Sequence, residues 1–446
     1  MLFFWTIYVL WVAVLWRAVV VRGGDPRIQA AWMMAAVLLP PLAGAMFVML
    51  AGRRPRRPRG ERLSSAVESI VAAGCSTRCV QGNRVEVSPT VSAAFSSMIS
   101  DMQRARSTIH VEYYILTCDR LGMAILSLLR RKARAGVSVR VLCDAYGSRR
   151  LPRSLVRSLS RDGVRIRFDS PIAFPYFRWA THCRNHRKMV IVDSRTAHVG
   201  GINIASRYLD GDTLGRWYDE QVRLTGGAVA DLERLFTSDW VRSGGEPIEA
   251  AVPSFRGLRM PLPGRAAVQA AWSEHGISRT TIADAIAAAM AQAQRTIHIV
   301  TPYFLPPQWL LDSLRRASAS GVGVVLMLPS RCDSSIVCMA ARSYVAECVE
   351  MGIDVVIYDE GFLHSKLIVI DSCRVLIGSM NLDYRSMDYN RELMLVIDDC
   401  PTAQRYAESV AAMMSRCRRV TAEDTESGRW RCGTAARLAR LLSPLM

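Results

Sequence analysis

No two cysteines of this chain stand in CxxC spacing, and its twelve cysteines keep no regular interval. That argues against a zinc ribbon and against a secreted disulfide scaffold, and it predicts free thiols in a reducing compartment. Acidic side chains are also scarce. The chain carries 39 Asp and Glu against 57 Lys and Arg, a net charge of +18 over 446 residues. An excess of that size points to phosphate-bearing partners, either lipid headgroup, membrane surface or nucleic acid. The N-terminus lacks both the basic opening and the small-residue cleavage site of a secretory signal.

What the N-terminus does hold is long apolar runs. Residues 2–21 are interrupted only by Arg17, and a second run extends from about Ala30 to Ala51 with Pro40-Pro41 in its middle. Each approaches the roughly 20 residues needed to cross a bilayer. Arg53-Arg54-Pro55-Arg56-Arg57-Pro58-Arg59, continuing to Arg62, follows directly. By the positive-inside bias that flank stays cytoplasmic, and it is also placed to meet anionic lipid. The expectation is a transmembrane helical hairpin over 1–52 and a basic juxtamembrane linker over 53–70, with the remaining chain in the cytoplasm.

One short pattern then occurs twice. His186-Arg187-Lys188 followed by four apolar residues and Asp193 is matched by His364-Ser365-Lys366, four apolar residues and Asp371. Gly200-Gly201-Ile202-Asn203 follows the first copy and Gly378-Ser379-Met380-Asn381 the second. Val- and Ile-rich runs bounded by polar turns read as buried strands. His and Lys two apart on a strand share a face, and burying them demands an anionic partner.

The duplication is longer than the motif. Thr108-Ile109-His110-Val111 matches Thr296-Ile297-His298-Ile299, and Leu129-Arg130-Arg131 leading to Gly136 matches Leu314-Arg315-Arg316 leading to Gly321. Gly163-Val164-Arg165-Ile166 likewise matches Gly352-Ile353-Asp354-Val355. Each half reads strand, helix ending at Gly, strand, helix ending at Gly, strand, then the His-x-Lys strand. This predicts an α/β fold with a mainly parallel or mixed sheet. Two halves in a pseudo-two-fold pair, 71–245 and 246–446, would bring both motifs to their interface.

Such a pair suits phosphodiester transfer. One neutral imidazole attacks phosphorus, and the other protonates the departing alkoxide and then deprotonates the second nucleophile. Lys188 and Lys366 supply fixed positive charge for the non-bridging oxygens without a metal. Asn203, Ser379, Asn381 and the backbone N–H groups around Gly200, Gly201 and Gly378 are further candidate donors. Asp193 and Asp371 complete the motif, but an odd spacing from their His turns them to the other strand face. Asp219 and Glu392 follow the two Asn clusters, each placed to orient an imidazole and fix its tautomer.

These residues carry a resemblance. The doubled His-x-Lys-x4-Asp with its downstream Gly-Gly/Ser-x-Asn resembles the phospholipase D superfamily. His110–Tyr114, Asn185–Lys188, Thr301–Phe304, Gly361–Lys366, Asn381–Ser386 and the terminal Arg437–Leu445 are similar, within it, to the bacterial cardiolipin synthases. The resemblance implies tandem phospholipase D-like α/β/α sandwich domains behind a multi-pass inner-membrane anchor, and no cofactor. It implies transfer of a phosphatidyl group from one phosphatidylglycerol through phosphohistidine to the glycerol hydroxyl of another. Phosphatidylglycerol, other anionic phospholipids and the membrane are then the partners, and nucleic acid is not. Two departures stand beside the first motif. Ala205-Ser206-Arg207 occupies a position where the family tends to be acidic, and Tyr218 one where Arg is expected, so acceptor preference is open.

Other readings are weaker. Hydrolysis of phospholipid differs from transfer only in whether water reaches the phosphohistidine. A nuclease of the same superfamily has no need of apolar spans, and a non-catalytic scaffold no need of two intact motifs. His182, Cys183, His186 and His198 contain zinc-ligand types, but the i, i+4 pair leads into a strand that does not converge it. His110 and His298 recur as marks of the duplicated fold, and Glu112 and Tyr114 are candidates to line a cleft. The Leu and Arg of Arg437–Leu445 keep helical spacing, suited equally to a membrane surface and to packing on the domain.

Overall fold

The computed structural model describes residues 2–22, 26–38, 43–44, 66–171, 183–248, 263–274, 280–427, 430 and 433–443. Each half supplies seven strands to one sheet. The first gives β1 (Val80–Val87), β2 (Thr108–Tyr113), β3 (Ser138–Asp144), β4 (Arg165–Asp169), β5 (Lys188–Val192), β6 (Thr196–Gly200) and β7 (Gln221–Thr225). The second gives β8 (Ala266–Trp272), β9 (Thr296–Val300), β10 (Gly323–Pro329), β11 (Asp354–Tyr358), β12 (Leu367–Ile370), β13 (Arg374–Gly378) and β14 (Leu393–Asp398).

Their order is β4-β3-β2-β5-β6-β7-β1-β8-β14-β13-β12-β9-β10-β11, with Arg418–Arg419 adding a short fifteenth strand at the β11 edge. Adding seven to the first half's numbers gives the second half's order in reverse. The centre of this palindrome is the antiparallel contact of β1 with β8, where Val80 faces Val268 and Asn83 faces Ala266. The duplicated halves are thus related as a two-fold pair, but they are not separate sandwiches. Their edge strands find hydrogen-bond partners in each other, which leaves no exposed edge at the centre.

The elements form where the repeat predicts them. β2, β3 and β4 run parallel, joined by helices Arg120–Arg134 and Arg153–Arg161. β9, β10 and β11 do the same through Gln308–Ala319 and Ser335–Glu350. The stops are Gly136, Gly163, Gly321 and Gly352, all with φ between +77° and +89°, a conformation an L side chain resists. The motif strands β5 and β12 run antiparallel to β2 and β9, so the sheet is mixed.

Both faces of the sheet are covered, and period-2 alternation sorts the side chains between them. Val190 and Val192 join a core under the first half, whereas Met189 and Ile191 face the other way. Ile368 and Ile370 join the second half's core, whereas Leu367 and Val369 again face the other way. That common side is one shared core, closed by helices Val229–Arg242 and Cys400–Met414 from different halves. The chain also crosses early, because helix Ala66–Cys75 buries Val67 and Val71 in the second half's core beside Ile282 and Ile286.

The N-terminal hairpin falls in a different compact unit from the sheet. Helices Leu2–Arg22 and Pro26–Leu38 meet through Leu15 and Ala36, and the Trp16 indole N–H donates to the Met33 carbonyl at 2.9 Å. Trp5, Ile7, Leu10, Trp11, Val14 and Leu38 point outward. Among the described residues no helix is long and apolar enough to cross a membrane. Most of the second expected span beyond Leu38, and the whole arginine-rich linker to Arg62, lie outside the described residues.

One expectation needs correction. Cys332 and Cys338 form a disulfide, so the scattered cysteines are not all free thiols. Their spacing of six matches no disulfide signature, and only the fold of the loop before helix Ser335–Glu350 brings them together. Asp193 and Asp371 belong to the motif but not to a cleft. Each sits in a hairpin turn at φ of about +50° with a positive-φ Ser behind it. The Asp193 carboxylate accepts the backbone N–H groups of Arg106, Ser107 and Thr108 at 2.7–3.1 Å. Asp371 accepts those of Gln294, Arg295 and Thr296 at 2.7–2.9 Å. Each carboxylate therefore pins the start of the neighbouring strand. Asp371→Ala is expected to cost about 1–3 kcal/mol in thermal or denaturant unfolding, while the folded fraction keeps its turnover within a few-fold. Lost turnover at unchanged stability would restore a chemical role.

Candidate active site

The two motifs meet because short backbone pairings cross from one half to the other. Arg216–Tyr218 pairs in parallel with Gly361–Leu363, and the His364 N–H donates to the Tyr218 carbonyl at 2.7 Å. On the other side Asn185 bridges Arg391, and the His186 N–H donates to the Arg391 carbonyl at 2.9 Å. The residue after each bridge is a carboxylate. Asp219 Oδ2 lies 2.6 Å from His364 Nδ1, and the Glu392 oxygens lie 2.9 and 3.1 Å from His186 Nδ1. Each imidazole is thus oriented by the opposite half. With Nδ1–H donated to its carboxylate, each ring keeps the Nε2 lone pair for chemistry.

The lysines are buried beside them. Lys188 Nζ donates to the His186 carbonyl and lies 5.7 Å from the Tyr114 ring centre. Lys366 Nζ donates to the His364 carbonyl and lies 2.8 Å from His364 Nδ1. That nitrogen can donate to Asp219 or accept from Lys366, not both.

Burial dominates the electrostatics. It pulls Lys188 down to about 7 and Lys366 to about 8, despite the nearby carboxylates. It likewise pulls His186 down to about 4 and His364 well below its ordinary value, with the lysines adding to the effect. Asp219 is pushed up to about 7 by burial against the pull of Lys366. Glu392 goes the other way. Burial would raise it, but His186, Lys188 and the Ser379 hydroxyl hold it below the usual carboxylate range.

Both imidazoles open on one cleft of about 240 Å³. Asn203, Asn381, Tyr114, Tyr208, Trp217 and Tyr303 line it with them. Tyr114 meets His186 edge-on at 4.9 Å between ring centres, and Trp217 and Tyr208 lie 5.2 and 5.7 Å from His364. The Asn203 amide donates to the Tyr208 hydroxyl at 2.7 Å, while the buried Asn381 Oδ1 has no partner among the described residues.

Three expected donors do other work. The Ser379 hydroxyl donates to Glu392. The Gly201 N–H donates to the Glu220 carbonyl at 3.0 Å, and the Gly378 N–H points to the Lys366 carbonyl at 3.4 Å. These glycines are needed for space. A Cβ on Gly201 would stand 2.3 Å from Asp219 Oδ1, and one on Gly378 2.1 Å from the Leu393 carbonyl. Glu112 is also off the cleft, buried and accepting from the Asn185 amide at 2.7 Å.

Behind the site lies a scaffold the motif pattern does not announce. Arg187, between His186 and Lys188, turns to the opposite face and pairs with Asp239, donating also to the Ser273 carbonyl at 2.9 Å. Ser365, its counterpart, donates to Glu220 at 2.9 Å. Arg184 pairs with Asp144 at 2.7 Å, and Arg391 pairs with Asp169 across the halves. Sequence reasoning missed Tyr208, Trp217, Asp239 and Glu220, because nothing in local spacing ties them to a motif up to 156 residues away.

Among the described residues no group of three or more His, Cys, Asp or Glu side chains is arranged to hold a metal ion. His198 is bonded to Asp101 at 2.8 Å, and His182 lies outside the described residues. His110 stacks on Phe236 at 4.5 Å in the core.

Known proteins resemble this chain in sequence and in fold. A family model described as cardiolipin synthase, phospholipase D-like domain, matches residues 98–240 and again 286–414. The chain is 33% identical over 356 residues to a cardiolipin synthase of Geobacillus kaustophilus, covering 79% of this chain and 70% of that one. It is 32% identical over 367 residues to the major cardiolipin synthase of Bacillus subtilis, covering 82% and 76%. The crystal structure of a phosphatidylserine synthase from Haemophilus influenzae shares the fold at a TM-score of 0.63 and 16% identity, covering 83% of this chain and 97% of that one.

The lysines set a pH dependence. A lysine is cationic below its pKa and neutral above it, so kcat/KM is expected to fall as pH rises through about 7 to 8. A pH–rate series on the purified chain checks this, and a profile flat to pH 10 would remove the lysines from the chemistry.

Proposed function

The chain belongs to the cardiolipin synthase family of phospholipase D-like proteins, and on that premise we propose how its residues carry out phosphatidyl transfer. The observation that carries the mechanism is the exchange of carboxylates, Glu392 onto His186 and Asp219 onto His364. It supports two imidazoles of fixed tautomer facing one bound phosphodiester. One Nε2 attacks phosphorus as the bond to the departing glycerol oxygen breaks, and the other imidazole delivers the proton that glycerol leaves with. The hydroxyl of a second phosphatidylglycerol then gives its proton back to that base and displaces the histidine, forming cardiolipin. Lys188, Lys366, Asn203 and Asn381 are assigned to the phosphoryl oxygens, where charge builds up. Asp219, Glu392 and, behind it, Ser379 position the rings.

The same reading places the chain at the bacterial inner membrane, with 71–245 and 246–446 as its two domains in the cytoplasm. The outward Trp5, Leu10, Trp11 and Val14 of the hairpin and the basic run that follows support an anchor in lipid.

The test is the full-length protein in liposomes with labelled phosphatidylglycerol. Cardiolipin and free glycerol in equal amounts are expected, with a chelator present as without. Phosphatidic acid alone would mean hydrolysis, and no product would mean a scaffold. His186→Ala and His364→Ala should each lower turnover by roughly 10³-fold or more, and Glu392→Gln and Asp219→Asn by roughly 10- to 100-fold. Full activity without either ring would overturn the mechanism.

A further inference from the structure

Two guanidinium groups also line the cleft, and the duplication puts them in equivalent places. Arg207 stands four residues after Asn203, and Arg385 four after Asn381. Their surroundings differ. Beside Arg385, Asp383 lines the same wall, two residues after its Asn. The equivalent position in the first half is Ala205, so Arg207 has no matching carboxylate. The nearby acids are engaged elsewhere, Asp119 accepting from the Ser206 N–H at 2.7 Å and Asp210 pairing with Arg120 at 2.6 Å. Among the described residues Arg207 makes no ion pair, and its buried Nε has no hydrogen-bond partner. Its guanidinium is held 4.6 Å over the Trp217 ring, and that ring is 5.2 Å from His364. An uncompensated cation, fixed on an aromatic face one ring away from a reacting imidazole, is built to meet an anion.

That anion is not the phosphoryl group under attack, which the motif lysines serve. A transfer between two lipids brings a second phosphate into the cleft, three carbons from the attacking hydroxyl. Resting on the transferase reading above, we propose that Arg207 binds the acceptor's own phosphodiester, and so selects an anionic lipid alcohol over water and neutral alcohols. Ala205 contributes by leaving the charge unneutralised. A lipid headgroup and a free glycerol phosphate share this chemistry, and both can be offered as acceptors.

The experiment measures two reactions of the full chain in phosphatidylglycerol liposomes containing labelled glycerol. Cardiolipin formation uses an anionic acceptor, and exchange of labelled glycerol into phosphatidylglycerol uses a neutral one. Arg207→Gln is expected to lower the ratio of cardiolipin to exchange by roughly tenfold or more, the worth of one charge-assisted hydrogen bond. Arg207→Lys should recover part of it, and added glycerol 3-phosphate should compete with cardiolipin formation in the wild type more than in Arg207→Gln. A ratio that does not move, or two rates that fall together, overturns the acceptor site while leaving the transferase reading intact. A wild-type chain that makes neither product overturns both.

Discussion

The structure depends on a reciprocal debt between its halves, since neither half can orient its own imidazole. The carboxylate for His186 comes from the residue before β14 in the second half, and that for His364 from the residue after Arg216–Tyr218 in the first. Each is delivered by a backbone pairing that crosses the boundary, so a shift of either half would misplace a ring and its partner together. This explains why so much of the molecule is devoted to making the boundary rigid. The ladder of β1 and β8, the shared core under both motif strands and the cross-half pair of Arg391 with Asp169 all bear on it. Buried ion pairs of this kind add little net stability compared with apolar packing. Their value is geometric, because they fit only one relative placement of the halves.

Charge balance connects that rigidity to chemistry. Two buried lysines lie among two carboxylates beside the cleft, and burial favours the neutral form of both imidazoles. The lysines and carboxylates offset one another behind the rings, as burial demands, and Arg207 adds a cation unpaired among the described residues at the cleft wall. On the transfer reading an incoming phosphodiester would meet these cations, and the lowered lysine values keep them responsive to its charge.

How much of this was legible in the sequence follows from the range of each interaction. The helix stops at Gly136, Gly163, Gly321 and Gly352 depend on backbone sterics within one turn, so the repeat alone placed them. The His and Lys of each motif share a face because strand periodicity is local. The odd spacing of Asp193 and Asp371 likewise marked them as outward, but not that each would collect three backbone N–H groups of the next strand. Asp219 and Glu392 stood out as orienting carboxylates, whereas the crossing that gives Glu392 to His186 joins residues 206 apart. No local pattern encodes such a pairing. The backbone N–H groups of Gly201 and Gly378 were candidate donors to the phosphate, yet close approach of neighbouring groups explains the glycines here. The fusion of two expected sandwiches into one sheet was hidden for a related reason, since β1 reads the same whether its neighbour is solvent, a helix or β8.

A duplicated site with strict two-fold symmetry would give its two imidazoles identical surroundings, and phosphoryl transfer needs them to differ. The divergence is visible in pairs of equivalent residues. Ser379 gives its hydroxyl to Glu392, but the matching Gly201 has no side chain to give, and the shorter Asp219 packs against its Cα instead. His186 and Lys188, with Ser379 adding to them, hold Glu392 below the usual carboxylate range, whereas burial pushes Asp219 up to about 7. Arg187 and Ser365 differ in the same way, one committing a full charge to Asp239 and the other a hydroxyl to Glu220. The cleft wall repeats the pattern, with Asp383 beside Arg385 and Ala205 before Arg207. At each of these places the backbone keeps the symmetry while charge breaks it. The fold can therefore bring two rings to one cleft by repetition, and give each different surroundings by substitution alone.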